Sequence, residues 1–259
     1  MEFVIVGDRD PFLLVRLNTG ESIFAESGAM VSMAETLSLE GALRGGLLSG
    51  LARKLGGGES FFTQQITAAS GRGEVLLAPA LPGDIQVLTV NEQAQYRLAD
   101  GAFLAADDGV VLKARTQGVG KALFGGTGGF IIVETEGEGQ LALCGFGSVF
   151  CEQVTPGRDL IIDNQHVVAW DRQLDYSVSL RTSQRSGLLG NLVGSATSGE
   201  GLVTRFSGSG KVYLASRNLN ALRAAVVGSL TGTSAGGQKT LLAQAGLSPK
   251  PGFFNDLGN

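Results

Sequence analysis

The chain has 259 residues, a net charge of −4, 43% hydrophobic and 17% charged residues, 40 glycines, two cysteines and one histidine. That apolar content can fill a core, while the acidic balance argues against sequence-independent nucleic-acid binding, which needs a basic surface. Two cysteines make no disulfide scaffold, and glycine without a Gly-X-Y period excludes collagen.

The first residues carry no basic leader before an apolar run, so no signal peptide is expected. No stretch approaches the roughly 18 apolar residues that span a bilayer, and a soluble, cytoplasmic protein is expected. Residues 2–6 and 12–17 read as strands around Gly7-Asp8-Arg9-Asp10-Pro11. Residues 23–31, centred on Ser27-Gly28, read as a tight hairpin, as do 96–104 with Asp100-Gly101 and 160–168 with Asn164-Gln165. Between them, residues 41–58 are rich in glycine, and Leu43, Leu47, Leu48, Leu51 and Leu55 recur there at helical spacing. Glycine weakens a helix by about 1 kcal/mol relative to alanine, so a short, broken helix is expected, with Arg44, Arg53 and Lys54 beside its leucines. Similar glycine-rich apolar stretches stand at 118–126 and 187–194. Pro82-Gly83-Asp84 and Pro156-Gly157-Arg158-Asp159 punctuate the chain. Leu219, Leu222, Ala225, Val226 and Leu230 predict a short helix over 218–230, and residues 231–259 have the composition of a flexible tail.

Three near-copies order these elements. They are Gly71-Arg72-Gly73-Glu74-Val75-Leu76-Leu77, Gly137-Glu138-Gly139-Gln140-Leu141-Ala142-Leu143 and Gly208-Ser209-Gly210-Lys211-Val212-Tyr213-Leu214. Their first glycines are 66 and 71 positions apart. Glycine takes positive φ without a Cβ penalty, and an apolar run after a polar residue is a strand signal. Each copy therefore predicts a hairpin turning at Gly-x-Gly, its first strand at 60–67, 130–134 or 202–206. Self-similarity at a long fixed period marks a repeat architecture. The expected fold is all-β, one body over 1–217 built of three repeated β-sandwich-type units. They span about 1–82, 83–156 and 157–217, with short glycine-rich helical segments.

Chemistry is sparse. A phosphate loop needs a glycine five positions before its last one and Ser or Thr after its lysine. Gly120-Lys121 has Arg115 and Ala122 there, and Gly210-Lys211 has Arg205 and Val212. No complete Gly-x-Gly-x-x-Gly occurs. Both cysteines are expected to be buried; Cys144 takes the place of Ala78 and Ala215 in the other copies. His166, the one histidine, is expected to be structural. Glu35, Asp107, Asp108 and Asp171 fall at similar places in the copies and read as turn residues, or as three carboxylates that could share a cation through oxygen.

The segment Arg44-Gly45-Gly46-Leu47 through Gly58-Glu59-Ser60-Phe61-Phe62, with Pro82-Gly83-Asp84 and Val168-Ala169-Trp170, resembles the family named for altered inheritance of mitochondria. The resemblance covers residues 1–217, and Gly-Glu-Ser-Phe after a basic, glycine-rich stretch is its most specific part. It implies an all-β fold similar to the tryptophan RNA-binding attenuation protein, with sandwich units in a ring-like arrangement. In mitochondrial relatives it implies a part in inner-membrane organisation. It implies no catalytic residues.

Two functions stay open on the residues. One is a non-enzymatic scaffold or binding protein that contacts a membrane or membrane-protein partner through Leu47, Leu48, Leu51, Arg53 and Lys54. The same leucines could instead pack within a sandwich or between subunits. The alternative is a small-molecule or RNA-binding module of attenuation-protein-like fold. No enzyme activity, cofactor or metal is expected. The expected partner is the chain itself, as a homo-oligomer such as a trimer, because open β units must pair or cover their edges.

Overall fold

Apolar residues at a period of two make most of this chain strand. Along Phe12–Leu17, Leu13, Val15 and Leu17 point inward while Phe12 and Arg16 face solvent. The computed structural model describes residues 1–42, 63–116, 131–180 and 202–231. The expected helices within 41–58, 118–126 and 187–194, apart from the strand residues 41–42, lie outside the described residues. So do Leu47, Leu48, Leu51, Arg53, Lys54 and the tail from 232 onward.

The first seven strands are β1 (Glu2–Val6), β2 (Phe12–Leu17), β3 (Ser22–Glu26), β4 (Met30–Met33), β5 (Ser38–Ala42), β6 (Thr63–Thr67) and β7 (Gly73–Leu77). Six follow: β8 (Gly83–Val90), β9 (Tyr96–Leu98), β10 (Phe103–Asp107), β11 (Val110–Thr116), β12 (Ile131–Gly137) and β13 (Gly139–Phe146). Six more are β14 (Val149–Val154), β15 (Leu160–Asp163), β16 (Val167–Asp171), β17 (Asp175–Leu180), β18 (Leu202–Ser207) and β19 (Gly210–Ala215). Among the described residues a single 3₁₀ turn, Asn164–His166, precedes β16, and one α-helix, α1, spans Leu219–Thr231. Met1–Asn218 form one compact unit, and the chain from Leu219 is a second.

Among the described residues the strands form four antiparallel sheets. Their orders are β1-β2-β7-β4, β5-β6-β3-β10-β13-β8, β11-β12-β9-β16-β19-β14 and β15-β18-β17. One pairing scheme recurs in them. β2-β7-β4 is matched by β8-β13-β10 and β14-β19-β16, and β3-β6-β5 by β9-β12-β11 and β15-β18-β17. Even a bulge recurs, between Met30 and Ser32, Phe103 and Ala105, and Val167 and Ala169. A bulge adds one residue and bends the strand. Here it comes just before the residues at which β10 meets β3 and β16 meets β9.

Two sequence expectations fail in the pairing. Strands β6 and β7 do not pair with each other; β6 lies between β3 and β5, and β7 between β2 and β4. The same separation holds for β12 and β13 and for β18 and β19. The Gly-x-Gly turns therefore carry the chain from one sheet to another instead of closing hairpins. The Ser27-Gly28 and Asp100-Gly101 turns do likewise, since β3 and β4, and β9 and β10, sit in different sheets. A strand has only two hydrogen-bonding edges, and both edges of β6 and of β7 are taken by other strands.

Between the sheets lie three apolar clusters. Leu13, Val15, Ile23, Ile66, Val75 and Leu77 anchor the first. Leu98, Phe103, Leu141 and Leu143 belong to the second. Trp170, Phe206, Val212 and Val154 belong to the third. Trp170 is 0% exposed and meets Tyr176 and Phe206 edge-on, with ring centroids 5.1 and 5.5 Å away. Aromatic edge contacts of this kind add about 0.5–1.5 kcal/mol beyond the area they bury.

Candidate functional site

The repeated turns come first, because their glycines invited a phosphate-binding reading. In two of them a carboxylate already occupies the backbone donor. Asp107 Oδ2 accepts from the Gln140 N–H and Asp171 Oδ2 from the Lys211 N–H, both at 2.8 Å. A Cβ on Gly139 would lie 2.5 Å from Asp107 Cβ, and one on Gly210 would lie 2.9 Å from Asp171 Oδ2. The second glycine of the motif is thus required by the close approach of its capping side chain. At the first turn Thr36 takes that place: its Oγ1 donates to the Arg72 carbonyl at 3.0 Å and would stand 2.6 Å from a Cβ on Gly73. In the second and third copies the first glycine serves conformation, with φ of +83° at Gly137 and +108° at Gly208.

The acidic residues accordingly act one by one. Asp107 and Asp171 each hold their own turn, while Glu35 and Asp108 are exposed. Among the described residues no group of three His, Cys, Asp or Glu side chains is placed to hold a metal ion. Asp84 accepts from the N–H groups of Ile85 (2.9 Å) and Val149 (3.2 Å), linking β8 to β14. Thr135 is fully buried, with Oγ1 accepting from the Tyr96 N–H and donating to Gln95 Oε1, both at 2.8 Å. No local motif marks the roles of Thr135, whose partners Gln95 and Tyr96 lie about forty positions away, or of Asp84 toward Val149, 65 positions on.

His166 has a settled place. Its Nδ1 lies 2.7 Å from the Ala215 carbonyl oxygen, which can only accept, so Nδ1 carries the proton. Nε2 then accepts from the Asn218 side-chain amide at 3.1 Å. Both ring nitrogens are spent on tying down the end of β19.

The cysteines differ. Cys144 is buried as expected, and burial pushes its thiol up to about 12. Cys151 is exposed, against expectation. It stands at an exposed position of β14, which ends its sheet among the described residues.

Several basic side chains of the body are already paired. Arg16 meets Glu2 and Glu74 at 2.9 and 2.8 Å, Lys113 meets Glu136 at 2.6 Å, and Arg205 meets Asp159 at 2.6 Å. Exposed pairs of this kind add little stability, but they neutralise charge that phosphates would otherwise find. Arg97 is more enclosed: it pairs with Glu134 at 2.8 Å and lies 5.2 Å from the centre of the Tyr176 ring.

Glu26 carries a strained charge. Burial raises its pKa, and the Asp100 carboxylate raises it further. An acid raised on folding supports the fold fully below its ordinary pKa, and that support is lost as pH rises through the folded value. Glu26→Gln should therefore raise the melting temperature at pH 7, and the gain should vanish below about pH 4. Equal melting curves for the two proteins at both pH values would contradict this.

The glycine-rich segments are bracketed alike. Ala42 is registered with Thr63, Thr116 with Ile131 and Leu180 with Leu202. Each segment thus leaves and re-enters the body at the end of the same kind of strand pair: β5–β6, β11–β12 and β17–β18. Among the described residues no helix is long and apolar enough to cross a membrane.

Comparison with known proteins places this architecture. A family model described as mitochondrial biogenesis AIM24 matches residues 3–217. An uncharacterised protein of Streptococcus pyogenes serotype M6 is 39% identical over 216 residues, covering 81% of this chain and 82% of its own. A crystal structure of a Streptococcus pyogenes protein superposes with a TM-score of 0.71 at 35% identity, covering 87% of this chain and 98% of that one.

Proposed function

We propose a function on one premise: the chain belongs to the mitochondrial biogenesis AIM24 family. The protein is a non-enzymatic scaffold of three β-sandwich units that presents three glycine-rich apolar segments to an anionic membrane surface. One observation supports this most: the three segments are inserted at equivalent points, across the Ala42–Thr63, Thr116–Ile131 and Leu180–Leu202 pairs. The recurrent strand order and the recurrent bulge support the three-unit reading. The sharing of sheets across β3–β10 and β9–β16 supports taking the units as attenuation-protein-like.

The first segment carries the most explicit signal. Leu47, Leu48 and Leu51 supply apolar area, and Arg53 and Lys54 supply charge beside it. Apolar burial plus attraction to anionic lipid is what holds an interfacial segment on a bilayer. Each basic residue near such a surface contributes on the order of 1 kcal/mol, so a single copy binds weakly, and display of several copies raises avidity.

Co-sedimentation with vesicles containing phosphatidylserine tests the reading. The wild-type chain should pellet with them at low salt and be released by high salt. Arg53→Glu with Lys54→Glu should abolish binding while leaving the far-ultraviolet spectrum unchanged. A wild-type chain that stays in the supernatant at low salt would end the proposal.

A further inference from the structure

Two strand edges interrupt an otherwise regular pattern. β3 gives one edge to β6 and the other to β10, and β9 does the same with β12 and β16. By its pairing with β18, β15 is the counterpart of β3 and β9; by its pairing with β7, β4 is the counterpart of β10 and β16. Among the described residues neither β15 nor β4 has a strand on its outer edge, and the two end different sheets.

The registers align these edges residue by residue. The shared bulge puts Val31, Ser32 and Met33 in the places of Leu104, Ala105 and Ala106, and of Val168, Ala169 and Trp170. Leu98 and Ile162 lie opposite Val133 and Thr204, each four positions before the first glycine of its motif. Ile161 therefore corresponds to Arg97, and through the β3–β10 and β9–β16 registers to Phe24.

Exposure separates the filled junctions from the open ends. Leu104, Ala106, Val168 and Trp170 are at most 4% exposed, and Phe24 is 5% exposed. At the open ends Val31 is 52%, Met33 36% and Ile161 69% exposed. Apolar residues along an unpaired strand edge are a template for pairing with another chain.

We infer that β15 of one copy pairs antiparallel with β4 of a second copy, repeating the β3–β10 and β9–β16 junctions between chains. Continuity with those two junctions sets the register. Ala106 faces Phe24 and Trp170 faces Arg97, so Met33 of one copy faces Ile161 of the next. The contact joins two different surfaces, and a head-to-tail contact of that kind builds a ring or a filament, according to the rotation per step. It does not rest on the lipid reading, and its test contains no lipid.

The test uses the full chain with Cys151→Ser, so that the exposed thiol is gone. One version carries Met33→Cys and the other Ile161→Cys. Directly opposed residues of an antiparallel pair have Cβ atoms about 4.5–5.5 Å apart, close to the reach of a disulfide. Co-expressed and oxidised, the two versions should give a covalent dimer, and neither version alone should. Ile161→Lys, at a solvent-facing position, should reduce the light-scattering mass from a multiple of 26.7 kDa to 26.7 kDa at micromolar concentration without changing the β spectrum. A wild-type chain of single-chain mass would overturn the inference. So would an absence of mixed cross-links, or a chain bearing both cysteines that closes only on itself. Should Ile161→Lys fail to fold, the mixed cross-link still decides.

Discussion

Trp170→Ala should lower the stability of the body by about 3–5 kcal/mol, the range for truncating a large buried aromatic side chain. Trp170 has no exposed surface, and its ring is held between Tyr176 and Phe206. It lies in one cluster with Val154, Val167, Leu174 and Val212. Its backbone also forms part of the β16–β9 junction, opposite Arg97, so a collapse around the cavity would disturb two sheet connections. Among the described residues nothing accepts a hydrogen bond from its Nε1. Trp170→Phe, which removes that buried donor and keeps most of the volume, should therefore cost much less than Trp170→Ala. Urea unfolding followed by circular dichroism measures both. The comparison belongs at one protein concentration, because assembly makes apparent stability depend on it. A loss below about 1 kcal/mol for Trp170→Ala would mean that the third cluster is not a close-packed core.

The second large effect is at Gly137. It holds φ at +83°, and a Cβ there would lie 2.2 Å from the Gly109 carbonyl oxygen, which is backbone and cannot swing away. Strained backbone conformations cost on the order of 1–3 kcal/mol each, and the clash adds to that, so Gly137→Ala should cost about 3 kcal/mol or more. Two other glycines separate the causes. Gly101 has φ +72° with nothing within 4 Å, so Gly101→Ala should show the conformational strain alone, about 1–2 kcal/mol. Gly41 has no positive φ and, among the described residues, no neighbour within 4 Å, and Gly41→Ala should leave stability nearly unchanged. If all three cost the same, crowding at the Gly109–Gly137 corner has no part in the effect. The chemical midpoint of unfolding ranks them directly.

These two sites also show how far local patterns reach. The strands at 2–6 and 12–17 are β1 and β2, and the apolar runs after each Gly-x-Gly are β7, β13 and β19. A strand is legible because its signal is local: alternation at a period of two, β-branched residues and a glycine or proline at the boundary. The recurrence of Gly-x-Gly was legible for the same reason. What each motif does was not. The second glycine answers to Asp107, Asp171 or Thr36, which stand more than thirty positions away. The prediction of hairpins failed on the same ground. Turn residues say that the chain reverses, but not whether it returns to the same sheet, because either edge of a strand can be taken by a strand from elsewhere in the chain. Exposure followed the sheets as well. Cys144 and Cys151 are seven positions apart, yet one lies on a central strand and the other on an edge. The alternation of residues in this chain thus settled that it would be strands and placed several of them, β1, β2, β7, β13 and β19 among them. Competition among those strands for a limited number of edges settled which of them pair, and left the edges of β4 and β15 open where their counterparts are joined.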